Sequence, residues 1–213
     1  VKSRTALINQ TRGLLAEYGI AIRQGICAVR NQLPTLIADE ENDLSGLMRR
    51  NLASLYESLC FLDERILEQD KLLKVVAKES EACQRLMQVP GIGIMTATIL
   101  LTIAGVASHF QNGREFASFL GLVPRQNSTG GKTKLLGISK RGDCYARYLL
   151  IHGARAALSR MVAGYTPEHR RNLWAMELVE RRGKNKASVA LANKTARVAW
   201  SMLTQGTEYK HAA

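Results

Sequence analysis

Apolar residues recur at helical spacing along most of the chain, whereas alternating strand patterns are scarce, so the sequence predicts a mainly α fold. Leu7, Thr11, Leu14, Leu15 and Tyr18 line one face of an opening helix that Gly19 is placed to end. Pro34 and the acidic cluster Asp39, Glu40, Glu41 and Asp43 read as a break followed by a favourable first turn, since negative charge complements the positive end of a helix dipole. In the long helix beyond, Leu52, Leu59, Ile66 and Leu73 recur every seven residues, and Leu55, Leu62, Gln69 and Val76 form a second row offset by three. Two such rows make a coiled-coil seam, read here as an oligomerisation surface. The alternative is an intramolecular hairpin, with the opening helix or Leu33 to Ile37 covering the seam.

At Val89-Pro90-Gly91-Ile92-Gly93 the pattern changes, and an apolar run to Leu101 follows. This looks like a helix-hairpin-helix element: Gly91 and Gly93 permit a tight turn, and the free amides at the start of the next helix can accept a phosphate. A purely structural turn stands as the alternative. The expected organisation is connector helices over 1–40, a coiled-coil helix over 41–87 and a compact helical domain over 88–213.

Charge changes the picture. From Val1 to Gly113 twelve basic residues balance twelve acidic ones, whereas Arg114 to Ala213 carries eighteen basic against six acidic, so the whole formal charge of +12 lies in the second half. Such an excess attracts polyanions over a Debye length, ~10 Å or less in physiological salt, and phosphate backbones are the usual partner. An acidic membrane surface would favour one amphipathic helix with aromatic residues on its apolar face, but these charges run across loops as well. At 46% hydrophobic and 23% charged residues the chain is neither a disordered tail nor a fibre. The longest apolar candidate, Ile92 to Val106, is interrupted by Thr96, Thr98 and Thr102 and falls short of a membrane span. Cys27, Cys60, Cys83 and Cys144 form no CxxC pair and are expected to be buried, reduced thiols of a cytoplasmic protein. The first residue is Val1, not Met, which reads as a fragment.

The most informative stretch runs from Gly121 through Pro124, Arg125, Ser128, Thr129, Gly130, Gly131 and Lys132 to Gly137-Ile138-Ser139-Lys140-Arg141-Gly142-Asp143. Lys132 and Thr133 after Gly131 do not make a phosphate loop, because Gln126 stands where the first glycine is required. A hydroxyl of Ser128 or Thr129 before the Gly-Gly pair can be presented on an exposed turn, with Arg125, Lys132, Lys134, Lys140 and Arg141 to neutralise a phosphodiester. That hydroxyl needs activation from elsewhere, because no histidine lies close in sequence. Trp174 and Trp200 sit among apolar residues at helical spacing and are expected in the core, and His152 is read as structural. Lys184 and Lys186 read as a solvated loop or as phosphate contacts.

The ordered set PGIG, GLVPRQNSTGGK, GISKRGD and YLLIHGARAAL, with the opening residues 1–19, resembles the C-terminal part of insertion-sequence family one-ten transposases, eleven-eleven subgroup, over essentially the whole chain. The resemblance implies a DNA transposase or recombinase directed by a structured noncoding bridge, or seeker, RNA. It also implies an N-terminal RuvC-like domain, upstream of Val1, whose DEDD residues hold Mg2+; no metal site is expected within this chain. A serine of the family attacks a phosphodiester to form a phosphoserine link. Counting back from Ser139 puts that serine at Ser128, and counting forward from Pro124 favours Thr129; Ser128 is chosen, with Thr129 as the alternate. Lys132, Lys140 and Arg141 would hold nearby phosphates, while Arg147, Arg155, Arg170, Arg171, Arg181, Arg182, Lys184 and Lys186 would line guide RNA or DNA. On this reading DNA, guide RNA and a second copy of the chain are the partners, and the protein is cytoplasmic, acting at the nucleoid. The competing reading is a non-catalytic nucleic-acid-binding and oligomerisation module.

Overall fold

The structure is a computed structural model that describes residues 1–163 and 170–209. It is mainly α, as the spacing predicts, and divides into two compact units, Val1–Leu72 and Leu73–Ala213.

In the first unit, α1 (Lys2–Glu17) and α2 (Ile26–Ala38) pack with the N-terminal part of α3 (Gly46–Glu79) around Ile8, Leu15, Val29, Leu33, Leu52 and Leu59. Gly19, at φ 72°, ends α1 as expected: Ile20 N donates to Leu15 O and Gly19 N to Ala16 O, each at 3.0 Å. Pro34 does not break the chain but lies inside α2. Its nitrogen carries no proton for the Arg30 carbonyl, a local loss that burial of Val29 and Leu33 on the same helix outweighs.

The acidic cluster likewise precedes α3 and does not form its first turn. There Asp39 Oδ1 accepts from Glu41 N at 3.0 Å and Ser45 Oγ accepts from Met48 N at 3.2 Å, so side-chain caps, not charge against the dipole, start the helix. Arg49 ties the connection down by donating to Ile37 O at 2.7 Å and Leu44 O at 3.1 Å. Asp63, 6% exposed, pairs with Arg4 at 2.8 Å and Arg30 at 3.5 Å and so joins all three helices.

Leu52 and Leu59, two members of the heptad row, are spent in this core. That part of the seam is closed intramolecularly, as in the hairpin alternative. Farther along α3, Leu67, Leu72, Val75 and Val76 are exposed.

The second unit contains α4 (Glu81–Met87), α5 (Ile94–Thr102), α6 (Ala104–Ala107), α7 (Gly113–Phe119), β1 (Pro124–Thr129), β2 (Lys132–Ile138), α8 (Cys144–Val162), α9 (Arg170–Arg182) and α10 (Lys184–Gln205). The last of these is the hub, packing against α4, α6, α7, α8 and α9. Its face of Ala187, Leu191, Ala192, Ala196 and Ala199 is fully buried, and small side chains there let the neighbouring helices approach closely. Of the four cysteines only Cys83 is buried; Cys27 and Cys144 are exposed, which corrects the expectation of four interior thiols. Among the described residues no helix is long and apolar enough to cross a membrane.

Candidate nucleic-acid interface

The segment that carries the candidate serine is an antiparallel β-hairpin. Gly130 and Gly131, at φ 55° and 75°, form its two-residue turn, a backbone that costs a residue with a Cβ about 1–2 kcal/mol per position. The register pairs Ser128 with Thr133, Thr129 with Lys132, Asn127 with Lys134 and Gln126 with Leu135.

Residues directly opposite one another share a face, and successive residues alternate. Gln126, Ser128, Thr133 and Leu135 therefore form one face, while Asn127, Thr129, Lys132 and Lys134 form the other. This corrects the expected arrangement: Lys132 and Lys134 stand on the Thr129 face and not beside Ser128. Every residue of β1 is exposed. Ser128 Oγ accepts a hydrogen bond from Gln126 Nε2 at 2.7 Å, which fixes the hydroxyl without offering a base, because an amide cannot take its proton.

The base of the hairpin is clamped by the two motifs that flank it. Ser139 N donates to Val123 O at 2.8 Å and Lys140 N to Gly121 O at 3.2 Å, so GLVP and ISKR lie side by side. Lys140 holds a left-handed φ of 56°, an unusual position for a residue with a side chain. Asp143 caps α8, its Oδ1 accepting from Tyr145 N and Ala146 N, both at 2.8 Å.

Arg147 completes the clamp and is not an interface cation. It is 8% exposed, and its guanidinium donates to Leu120 O at 3.0 Å, Arg141 O at 2.9 Å and Cys144 Sγ at 3.2 Å. Those carbonyls lie in a loop that would otherwise leave them unpaired, so the arginine serves the fold. Arg171 is corrected in the same way: it is 8% exposed and donates to Thr195 Oγ1 at 2.7 Å and Pro90 O at 3.2 Å. Arg125, Lys132, Lys134, Lys140 and Arg141 are exposed, as are Arg155, Arg170, Arg181, Arg182, Lys184 and Lys186.

In the PGIG turn the two glycines do different work. Gly91, at φ 94°, packs on the backbone of α8, where an added Cβ would stand 2.8 Å from Gly153 O; a Cβ on Gly153 would in turn run into Gly91 O. Close approach, not a ligand, requires glycine at both positions. Gly93 is exposed at the start of α5, with open space around it and no side chain capping the helix.

Lys184 and Lys186 belong to the first turn of α10 and not to a loop; Gly183 alone separates α9 from α10. Trp200 is half-buried against the core, which meets the expectation only in part, and donates from Nε1 to Ala107 O at 3.0 Å. Trp174 is half-buried, with Lys194 Nζ 4.5 Å from its ring centroid. The Lys194 pKa is lowered, first by burial and then by the charges of Arg171, Arg170 and Arg197. His152 is exposed on α8 and lies against Tyr148, ring centroids 4.1 Å apart.

The residue that sequence reasoning missed is Lys194, on the α10 face that borders the hairpin. Its i, i+3 relation to Arg197 was the available signal. Among the described residues no group of three His, Cys, Asp or Glu side chains converges as a metal site. Lys210, one of the eighteen cations of the second half, lies outside the described residues.

Residues 83–172, which hold the PGIG turn, the hairpin, its clamp and α8, match the family described as Transposase IS116/IS110/IS902. The transposase for insertion sequence element IS1111A of Coxiella burnetii is 47% identical over 210 residues, covering 99% of this chain and 57% of the relative. A probable family 20 transposase of Pseudomonas aeruginosa is 44% identical, covering 99% and 62%. The transposase for insertion sequence element IS1328 of Yersinia enterocolitica is 39% identical, covering 98% and 61%. The chain thus spans about three fifths of the length of these curated relatives. The hairpin and its clamp thus lie inside the segment that matches the IS116/IS110/IS902 transposase family, and the chain is similar over nearly all of its length to part of these transposases.

Proposed function

We propose that this chain is part of an insertion-sequence transposase that cuts and rejoins DNA through a covalent link at Ser128. One observation carries the reading: Ser128 stands on a fully exposed strand, beside a Gly-Gly turn, on a hairpin whose base is fixed by backbone bonds and by Arg147. A rigid base and an open tip suit a nucleophile that must meet a bulky phosphodiester.

In the proposed step Ser128 Oγ bonds to phosphorus as the phosphorus bond to one DNA oxygen breaks. The serine proton passes to an acceptor outside this hairpin, and the departing oxygen gains a proton. The new ester conserves the energy of the old one, so a strand hydroxyl can later displace the serine and reseal the DNA without a nucleotide cofactor. Gln126 holds the hydroxyl in position through its amide, and Lys140 and Arg141, exposed just past the hairpin, are the cations assigned to the phosphate. Mg2+ at a DEDD set elsewhere in the longer protein would supply charge stabilisation. A structured guide RNA directing the reaction, and association of copies through the exposed apolar stretch of α3, belong to the same proposal. The observation behind the latter is that Leu67, Leu72 and Val75 are exposed in a helix of 34 residues.

The test is strand exchange by the full-length transposase with its guide RNA and donor and target DNA. Ser128→Ala should abolish recombination while DNA and RNA binding persist, and Thr129→Ala should retain it. Unchanged recombination in Ser128→Ala would remove the proposal and leave a binding module.

A further inference from the structure

Between the base of the hairpin and α10 lies a groove of about 1020 Å3, walled by Leu122, Ile138, Trp174 and Val189 and edged by Lys186, Lys194 and Arg197. A second hollow of about 610 Å3, bordered by Arg114, Trp200 and Ser201, shares Lys194 and Arg197 with it. The two hollows meet at these side chains along one face of α10 and are treated together as a trough. From Asn185 to Ser201 it runs roughly 24 Å at the helical rise. Among the described residues no aspartate or glutamate lines either part.

We infer that this trough holds an unpaired DNA strand, phosphates on Lys186, Lys194, Arg197 and Arg114 and bases against the apolar wall around Trp174. The inference rests on the transposase reading and adds a binding site to it.

Three observations support it. The first is charge: the ion pairs found among the described residues, Arg4 and Arg30 with Asp63 and Arg65 with Glu68, all lie in the first unit. Among the described residues the cations of the trough thus form no ion pair with a carboxylate, and Lys194 in particular is held among Arg170, Arg171 and Arg197. A row of phosphates supplies the missing anions. The second is the wall: duplex DNA turns phosphates and sugars outward and has no use for a floor of Leu122, Ile138, Val189 and a tryptophan, whereas unpaired bases bury their faces on such surfaces. The third is position. Leu135, which lines the groove with Leu136 and Ile138, shares the Ser128 face of the hairpin through the Gln126 pairing, so a strand in the trough reaches the hairpin that carries Ser128. The strand is DNA because the proposed step at Ser128 cuts a DNA phosphodiester, which needs an unpaired or melted segment beside the nucleophile. The length available suits about four nucleotides.

The test uses the 213-residue chain and fluorescein-labelled single-stranded DNA of about 12 nucleotides, with RNA of the same sequence and duplex DNA as separate arms. Lys194→Gln with Arg197→Gln should weaken single-stranded DNA binding at least ten-fold, on the order expected for losing two phosphate contacts, and should leave duplex affinity within about two-fold. Tryptophan emission should fall on adding the DNA oligonucleotide, and Trp174→Phe should remove that change. Folding of each variant is checked by helical circular dichroism, and Lys186→Gln, at the exposed edge, serves as a second variant if the double substitution unfolds. Equal affinity in the folded variants, an equal loss for duplex, or a loss confined to the RNA arm would each overturn the assignment. Adduct formation at Ser128 in the full-length protein is scored independently, so failure of the trough and failure of the serine chemistry are distinguishable.

Discussion

Lys194 shows how one residue can be costly to the fold and useful to the site. Its folded pKa lies below the ordinary lysine value of 10.5, because burial and then the charges of Arg171, Arg170 and Arg197 oppose its proton. The unfolded chain therefore binds this proton more tightly than the folded one. Stability gains as pH rises through the window between the folded pKa and 10.5, and the penalty is fully present below that window. Lys194→Gln should accordingly be at least as stable as the unsubstituted chain near neutral pH. The difference between the two should shrink as pH climbs toward 10.5, as measured by urea unfolding at several pH values. A variant that is clearly less stable at neutral pH would show that the lysine is compensated. Arg147 and Arg171 carry the opposite lesson. In the sequence they resemble every other cation of the second half, but their guanidiniums bond to Leu120 O and Pro90 O, 27 and 81 residues away. Only tertiary contact distinguishes an arginine that serves carbonyls from one that serves phosphates.

At the scale of elements, helices were legible wherever one face is apolar, as in α1 with its Gly19 stop and in the long α3. Pro34 misled because a proline removes a single helical bond, a loss that burial of Val29 and Leu33 can outweigh. The hairpin was hidden for a different reason: β1 is exposed along its whole length, so it has no alternation of apolar and polar positions to read. The signal that does exist is the Gly130-Gly131 pair between two short runs, a two-residue hairpin connection. That pair gives an element-scale prediction. Replacing both glycines with alanine puts Cβ atoms at φ 55° and 75°, at a cost of about 2–4 kcal/mol within the hairpin. The helices of the second unit pack without the turn, so helical circular dichroism should be nearly unchanged while strand exchange falls by a hundred-fold or more. Exchange at the original rate would mean that the tip geometry does not matter.

Across the whole molecule, the partition of charge seen in the sequence reappears as a partition of chemistry. The balanced first half supplies helices, a core and the ion pairs around Asp63, while the basic second half carries the hairpin, its clamp and the trough. The family was legible because the ordered motifs are the turn, the hairpin and the clamp themselves, segments in which backbone geometry restricts which residues fit. The face on which each hydroxyl stands was not legible, since it depends on a register that a count of residues from either flank leaves one position uncertain. That register puts Ser128 and Thr129 on opposite faces, with Lys132 and Lys134 on the Thr129 face, so the identity of the attacking hydroxyl is the point that decides the mechanism. The most direct measurement is peptide mass spectrometry of the protein–DNA adduct formed by the full-length transposase with magnesium, guide RNA and labelled donor DNA. The DNA phosphate is expected on Ser128, on the face opposite Lys132 and Lys134. A phosphate on Thr129 would move the chemistry to the lysine face and contradict this assignment.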